Sequence, residues 1–319
     1  MKIFIAGATG VLGRRLVNQF RDRGHVVRAL ARNKKNETTI HALGAESRHG
    51  DLFHADSLAR AAEGSDVIIH AATAIPTGAR PGPNEWQMND QIRRDGTRAL
   101  AECAARVGAK QFLVQSITWV ARPANQTEFD EESPFHTDAI TQSASEMETI
   151  AREAGERSGF GVGILRFGWF YCADSAHTRY FGENLAARKL PIIGKGDAIW
   201  SWIHLDDAAG AFVALAEAQR SGLWHVVDDE PVAAADYLRY FAKRLGAPEP
   251  RHVPLWLARI LAGSAAVDFM TASTRTSNRK FREELGWKPR YPSYREGLAE
   301  VIPHWRSENF AGLGARSAA

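Results

Sequence analysis

Tyrosine is absent from the first 170 residues of this 319-residue chain, and no lysine stands between Lys110 and Lys189. Both absences cover the stretch TDAITQSASEME at 137–148. Cysteine is nearly absent too. Cys103 and Cys172 sit in apolar surroundings without CxxC or Cys/His spacing, which argues against a disulfide framework and against structural zinc. No metal site is expected. No apolar run approaches the roughly 20 residues of a membrane span. The beginning, MKIFIAGATG, runs into a glycine turn and not into a signal-peptide cleavage site. The formal charge is only +3, and the densest basic cluster, RNKK at 32–35, is short. Nucleic acid and membrane are therefore not expected partners. A soluble, cytoplasmic protein acting on a small molecule is.

What the chain does have is rhythm. Hydrophobic residues make up 45% and charged residues 24%, ordinary values for a globular protein able to bury a large core. Lys2–Ala6 reads as a buried strand and Gly13–Arg23 as a helix with Leu16, Val17 and Phe20 on one face. His25–Ala31, Asp66–His70, Gln111–Gln115 and Val162–Arg166 read as further strands. A Pro- and Gly-rich loop, Ile75–Pro83, follows the Asp66–His70 strand and leads into a long helix through Ala105. Strands alternating with helices predict an α/β fold, a Rossmann-type doubly wound parallel sheet. After Arg166 the pattern changes to aromatic-, Gly- and Pro-rich sequence, then returns at WIHLDDAAGAFVALAEA. The expected division is a first domain of 1–166 plus about 202–230, with a smaller C-terminal lobe of about 167–201 plus 231–319.

The most specific motif is GATGVLG, with Gly7, Gly10 and Gly13. It follows a strand and opens a helix, the context a dinucleotide pyrophosphate requires. Gly7 permits the tight turn, Gly10 the close approach of backbone to phosphate, and Gly13 the packing of helix on strand. Thr9, Val11 and Leu12 complete the turn, and the helix N-terminus offers N–H groups and partial positive charge. NAD sites usually place an acid about 20 residues further on. This chain has LARNKK there, with no acid. Arg32 suits a 2′-phosphate, so NADP(H) is expected over NAD(H).

Beyond the glycine turn, GDL at 50–52, HAA at 70–72, LRFGWFY at 165–171, WIHLDDAAGA at 202–211 and LGWKP at 285–289 occur in one order. Together they resemble the extended short-chain dehydrogenase/reductases, which include nucleotide-sugar epimerases and dehydratases. The resemblance implies a C-terminal substrate lobe, Asp51 and Leu52 near the adenine, and Ala71, Ala72 and Thr73 along the cofactor. It also implies a possible homodimer.

The same resemblance implies a catalytic tyrosine with a lysine four residues later, on one helix face. Alignment through Glu146 and Glu148 places Ile140 and Ala144 at those positions, and the absence of Tyr and Lys leaves no register that restores the pair. Arg93 stands where the family has asparagine. The candidates for substrate orientation or proton delivery are Ser116, Thr118 and His136. Asp138 reads as a helix N-cap. Trp119, Tyr171, His177 and Tyr180 are the candidate substrate contacts, although a turn role also suits Tyr171. The expected activity is NADP(H)-dependent oxidoreduction of a small apolar or aromatic carbonyl or activated substrate, with unusual proton delivery. A non-redox enzyme on the same scaffold and an NADP-sensing binding protein remain open.

Overall fold

The computed structural model describes residues 1–76, 83–125, 127–308 and 310. Seven parallel strands form its central sheet: β1 (Lys2–Ala6), β2 (Val26–Ala31), β3 (Glu46–His49), β4 (Val67–His70), β5 (Gln111–Ile117), β6 (Gly161–Phe167) and, far later in the chain, β11 (Gly222–Val226). Their order is β11-β6-β5-β4-β1-β2-β3. The order reverses between β1 and β4, and that switch point opens a crevice at the carboxyl ends of the strands. The α/β expectation is met.

Alternation along each strand explains why helices must cover both faces. Ile3 and Ile5 of β1, Val67 and Ile69 of β4, and Leu113 of β5 enter one core layer. Phe4, Ile68, Phe112 and Val114 enter the other. The first layer is closed by α1 (Val11–Asp22) and α8 (Leu205–Ala218), and the second by α3 (Ala55–Ala61), α5 (Thr97–Val107) and α6 (Gln142–Ser158). On the edge, α2 (Lys34–Ala42) contributes Ile40.

The long helix expected before Ala105 is α4 (Pro83–Gln91), a π-helical turn at Ile92–Gly96, and α5. A π turn re-aims its side chains relative to the flanking α-helix, and this one carries Arg93. Most of the Ile75–Pro83 loop lies outside the described residues.

A separate aromatic core gathers the short strand pairs and the later helices. β7 (Trp169–Tyr171) pairs with β10 (Trp202–His204), β9 (Ile199–Trp200) with β12 (Val232–Ala233), and β8 (Ile192–Ile193) with β13 (His252–Val253). Around them pack α7 (Ala176–Ala186), α9 (Ala234–Leu245) and α13 (Tyr294–Ser307). α10 (Leu255–Ala262) and α11 (Ser264–Met270) lie at its margin, while α12 (Arg279–Leu285) packs back on the sheet through Phe281.

Candidate active site

The glycine turn is shaped by contacts that admit no side chain. Gly7 has φ +98, and a Cβ there would lie 2.5 Å from Ala71 C and Ala72 N, so the turn rests directly on the backbone leaving β4. A Cβ on Gly13 would lie 2.0 Å from the Gly7 carbonyl oxygen. Helix α1 opens at Gly10 with no side-chain cap, so the N–H groups of its first turn remain free for an anion. These features fit a dinucleotide pyrophosphate.

The nucleoside end is joined to this turn by a contact invisible in the motif. Asn33 caps α2 by accepting from Asn36 N at 3.0 Å, and Asn36 Nδ2 donates to Thr9 Oγ1 at 3.0 Å. The loop after β2 is thereby held against the glycine turn. Arg32 is exposed and has no hydrogen bond or ion pair with the described residues, leaving its guanidinium available. Across the crevice, Leu52 is buried against Gly96, and Asp51 is exposed with Oδ1 accepting from Phe53 N. Ala71 N bonds to Ala6 O at 2.9 Å, and Thr73 is exposed beyond it.

At the other end of the crevice, the carboxyl ends of β4 and β5 face the start of α6. Ala144 is fully buried with Val120, Ala121 and Phe129, so no polar group is possible there without a cavity or a partner. Ile140 is half-buried in the turn before α6. Asp138 organises that turn by accepting from Ile140 N, Thr141 N and Thr141 Oγ1, each at 2.9 Å. The helix itself begins at Gln142, with Thr141 as N-cap, so Asp138 acts one turn earlier than expected. Arg93 reaches this place from the π turn, its Nη1 donating to Ile140 O and Ser143 Oγ at 3.1 Å each. Burial lowers its pKa to about 10.

The polar candidates are placed differently from one another. Ser116 is buried and its hydroxyl donates to Glu148 Oε1 at 2.5 Å. Glu148 in turn holds Arg166 in a bidentate pair at 2.9 and 2.8 Å. Tyr171 has the surroundings of a structural residue. It is fully buried, donates to Ser293 O at 3.3 Å, and lies against Gly297. His136 is exposed, its backbone N bonded to Val120 O, and its ring has no partner among the described residues. It is therefore unheld, which ill suits a proton donor that must be positioned. Thr118 Oγ1, by contrast, is buried and has no hydrogen-bond partner among the described residues.

Aromatic rings wall the space beyond β5. Trp119 meets Trp169 edge to face at 5.0 Å, and Phe269 of α11 packs on both, 6.0 Å from Trp119 and 5.0 Å from Trp169. His177 stacks on Trp169 at 5.6 Å. His177 is exposed at the start of α7, and the neighbouring protein desolvates its ring. That desolvation pushes its pKa down to about 4, so it is neutral near pH 7. Tyr180 is exposed on α7 and touches only Phe181 among the aromatic rings. Phe269 carried no signal in the sequence.

An open glycine turn at the switch point of a parallel sheet defines a dinucleotide-binding protein of the short-chain dehydrogenase/reductase type. Residues 3–226 match the NAD dependent epimerase/dehydratase family, and the chain belongs to that family. It is 34% identical over 313 residues to a 3-diazoavenalumate denitrifying reductase from Streptomyces sp, covering 93% of this chain and 99% of that protein. Among solved structures, it is similar to human epimerase family protein SDR39U1 with NADPH, at TM-score 0.80 and 19% identity over 95% and 99% of the two chains. It is also similar to DesIV, a dTDP-glucose 4,6-dehydratase from Streptomyces venezuelae with NAD and TYD bound. That match has TM-score 0.78 and 22% identity over 97% and 98%. Family and geometry agree on a nicotinamide dinucleotide as cofactor.

Proposed function

We propose that this chain is an NADP(H)-dependent reductase of a small apolar or aromatic substrate, one activated enough to be reduced without a proton from a tyrosine. The observation that carries this reading is the contrast between the two ends of the crevice. The glycine turn and free Arg32 are equipped for a 2′-phosphorylated dinucleotide, while Ile140 and Ala144 stand where the family resemblance puts the acid–base pair.

When bound, the dinucleotide supplies a hydride from its nicotinamide ring. The chain's own part is to hold and to exclude. The first turn of α1 binds pyrophosphate, Arg32 the 2′-phosphate, and Trp119, Trp169 and Phe269 exclude water from one wall of the reacting space. Ile140 and Ala144 have no proton to give, and the Ser116 hydroxyl is spent on Glu148. Such a site favours reductions that consume no proton at the reacting centre. The denitrifying reductase relative is named for a diazo substrate, and that chemistry fits. Hydride replaces N2 at a diazonium carbon, the C–N electron pair leaves with N2, and R–N2⁺ plus hydride becomes R–H plus N2.

Titration with NADPH and NADH, followed by absorbance at 340 nm with benzenediazonium or acetophenone, tests the reading. Tighter binding of NADPH is expected, with oxidation driven above the uncatalysed rate by the diazonium and not by the ketone. Binding without oxidation by either would replace the reductase with a non-redox enzyme or a dinucleotide-binding protein.

A further inference from the structure

Two arginines are buried within this half of the molecule, and they are treated differently. Arg166, 3% exposed, is neutralised by a bidentate bond to Glu148. Arg93 is 5% exposed and has no ion-pair partner among the described residues. Its Nη1 is used by Ile140 O and Ser143 Oγ, which are neutral, while Nε and Nη2 have no partner among the described residues. Asp90, one turn earlier, acts on Arg93 only through space, and its own Oδ1 is buried and unpartnered.

The position of this charge is as informative as its isolation. It touches the turn at Ile140, and its field reaches His70 at the end of β4. Thr118, with its unpartnered buried hydroxyl, closes the end of β5. The guanidinium thus stands at the turn before α6, bonded to Ile140 O and Ser143 Oγ.

We propose that Arg93 is the anchor for an anionic group of the substrate, and that the substrate class is an aromatic carboxylate. A buried unpaired guanidinium loses hydration that only an opposite charge restores well. Ribose hydroxyls, the neutral alternative in this neighbourhood, would leave that loss largely uncompensated. A carboxylate would instead accept from Nε and Nη2, the fork geometry guanidinium offers. The aromatic part then meets the wall of Trp119, Trp169 and Phe269. The assignment rests on the nicotinamide reading of the crevice and adds the charge of the substrate to it.

The test is calorimetric, with cinnamate and its neutral isostere cinnamamide as probes, on the intact protein with and without saturating NADP⁺. Cinnamate is expected to bind about 10- to 100-fold more tightly than the amide. Arg93→Met should abolish that preference and Arg93→Lys retain part of it, with thermal melts confirming folded variants. Equal affinity for acid and amide in the native protein, or no binding of the acid, would overturn the assignment without any variant. So would an Arg93→Met protein that keeps the preference and loses NADP⁺ affinity, since the guanidinium would then serve the cofactor. If NADP⁺ fails to bind the native protein, the dinucleotide reading falls, and the acid–amide comparison in its absence still decides the anion site.

Discussion

The Nη1 atom of Arg93 lies 3.1 Å from the carbonyl oxygen of Ile140. A side chain from the π turn is thereby fixed to the turn that carries the altered catalytic position. Arg93 and Ile140, where the family resemblance leads one to expect asparagine and tyrosine, are therefore in contact.

The pyrophosphate assignment is tested by Gly10→Glu. A Cβ at Gly10 meets only the Gly7 carbonyl oxygen, at 3.3 Å, so the fold should tolerate it, while the added carboxylate opposes phosphate at the helix N-terminus. NADPH affinity should fall at least about 100-fold, by fluorescence titration, with little change in melting temperature. Unchanged affinity would remove the assignment.

Arg32 decides between the two dinucleotides. Arg32→Ala should weaken NADPH by about 10- to 100-fold, the worth of a charge-assisted contact, and leave NADH nearly unaffected. Equal losses for both would mean that Arg32 does not read the 2′-phosphate.

Tyr171→Phe separates a structural tyrosine from a chemical one. Losing the bond to Ser293 O should cost about 1 kcal/mol in urea unfolding, with turnover unchanged. A large fall in turnover at normal stability would return Tyr171 to the site.

Acid should destabilise the fold through its buried histidines. Burial lowers the pKa of His70 to about 4 and that of His225 well below its ordinary value. Both are neutral in the folded state where the unfolded chain binds protons. Stability is therefore fully present above about pH 6.5 and is lost as pH falls toward 4, by about 3 kcal/mol for His70 alone. Urea midpoints from pH 7.5 to 4.5 should show the decline, and His70→Gln should flatten it.

The parts of the molecule governed by local rules were legible in the sequence. Lys2–Ala6 is a strand with the expected bounds, and the glycine turn follows it, because strand period and turn chemistry are set by neighbours in the chain. The absence of Tyr before residue 171 and of Lys between 110 and 189 needs no structure to be read. Contacts between distant residues were not. The bond from Arg93 to Ile140 spans 47 residues, and Phe269 joins Trp119 from another element altogether. A turn role for Tyr171 was legible, but not that Gly297 leaves room for its ring: a Cβ there would lie 2.0 Å from the Tyr171 hydroxyl. Ser116 looked free for a similar reason, since its partner Glu148 lies 32 residues on.

The central claim is reduction without proton delivery to the reacting centre, and isotope tracing of the product tests it most directly. The reaction would be run with benzenediazonium and NADPH deuterated at nicotinamide C4 in ordinary water, then with unlabelled NADPH in D2O, and the benzene analysed by mass spectrometry. One deuterium from the labelled cofactor and none from D2O is the expected result. Deuterium arriving from solvent, or benzene formed without oxidation of NADPH, would contradict it.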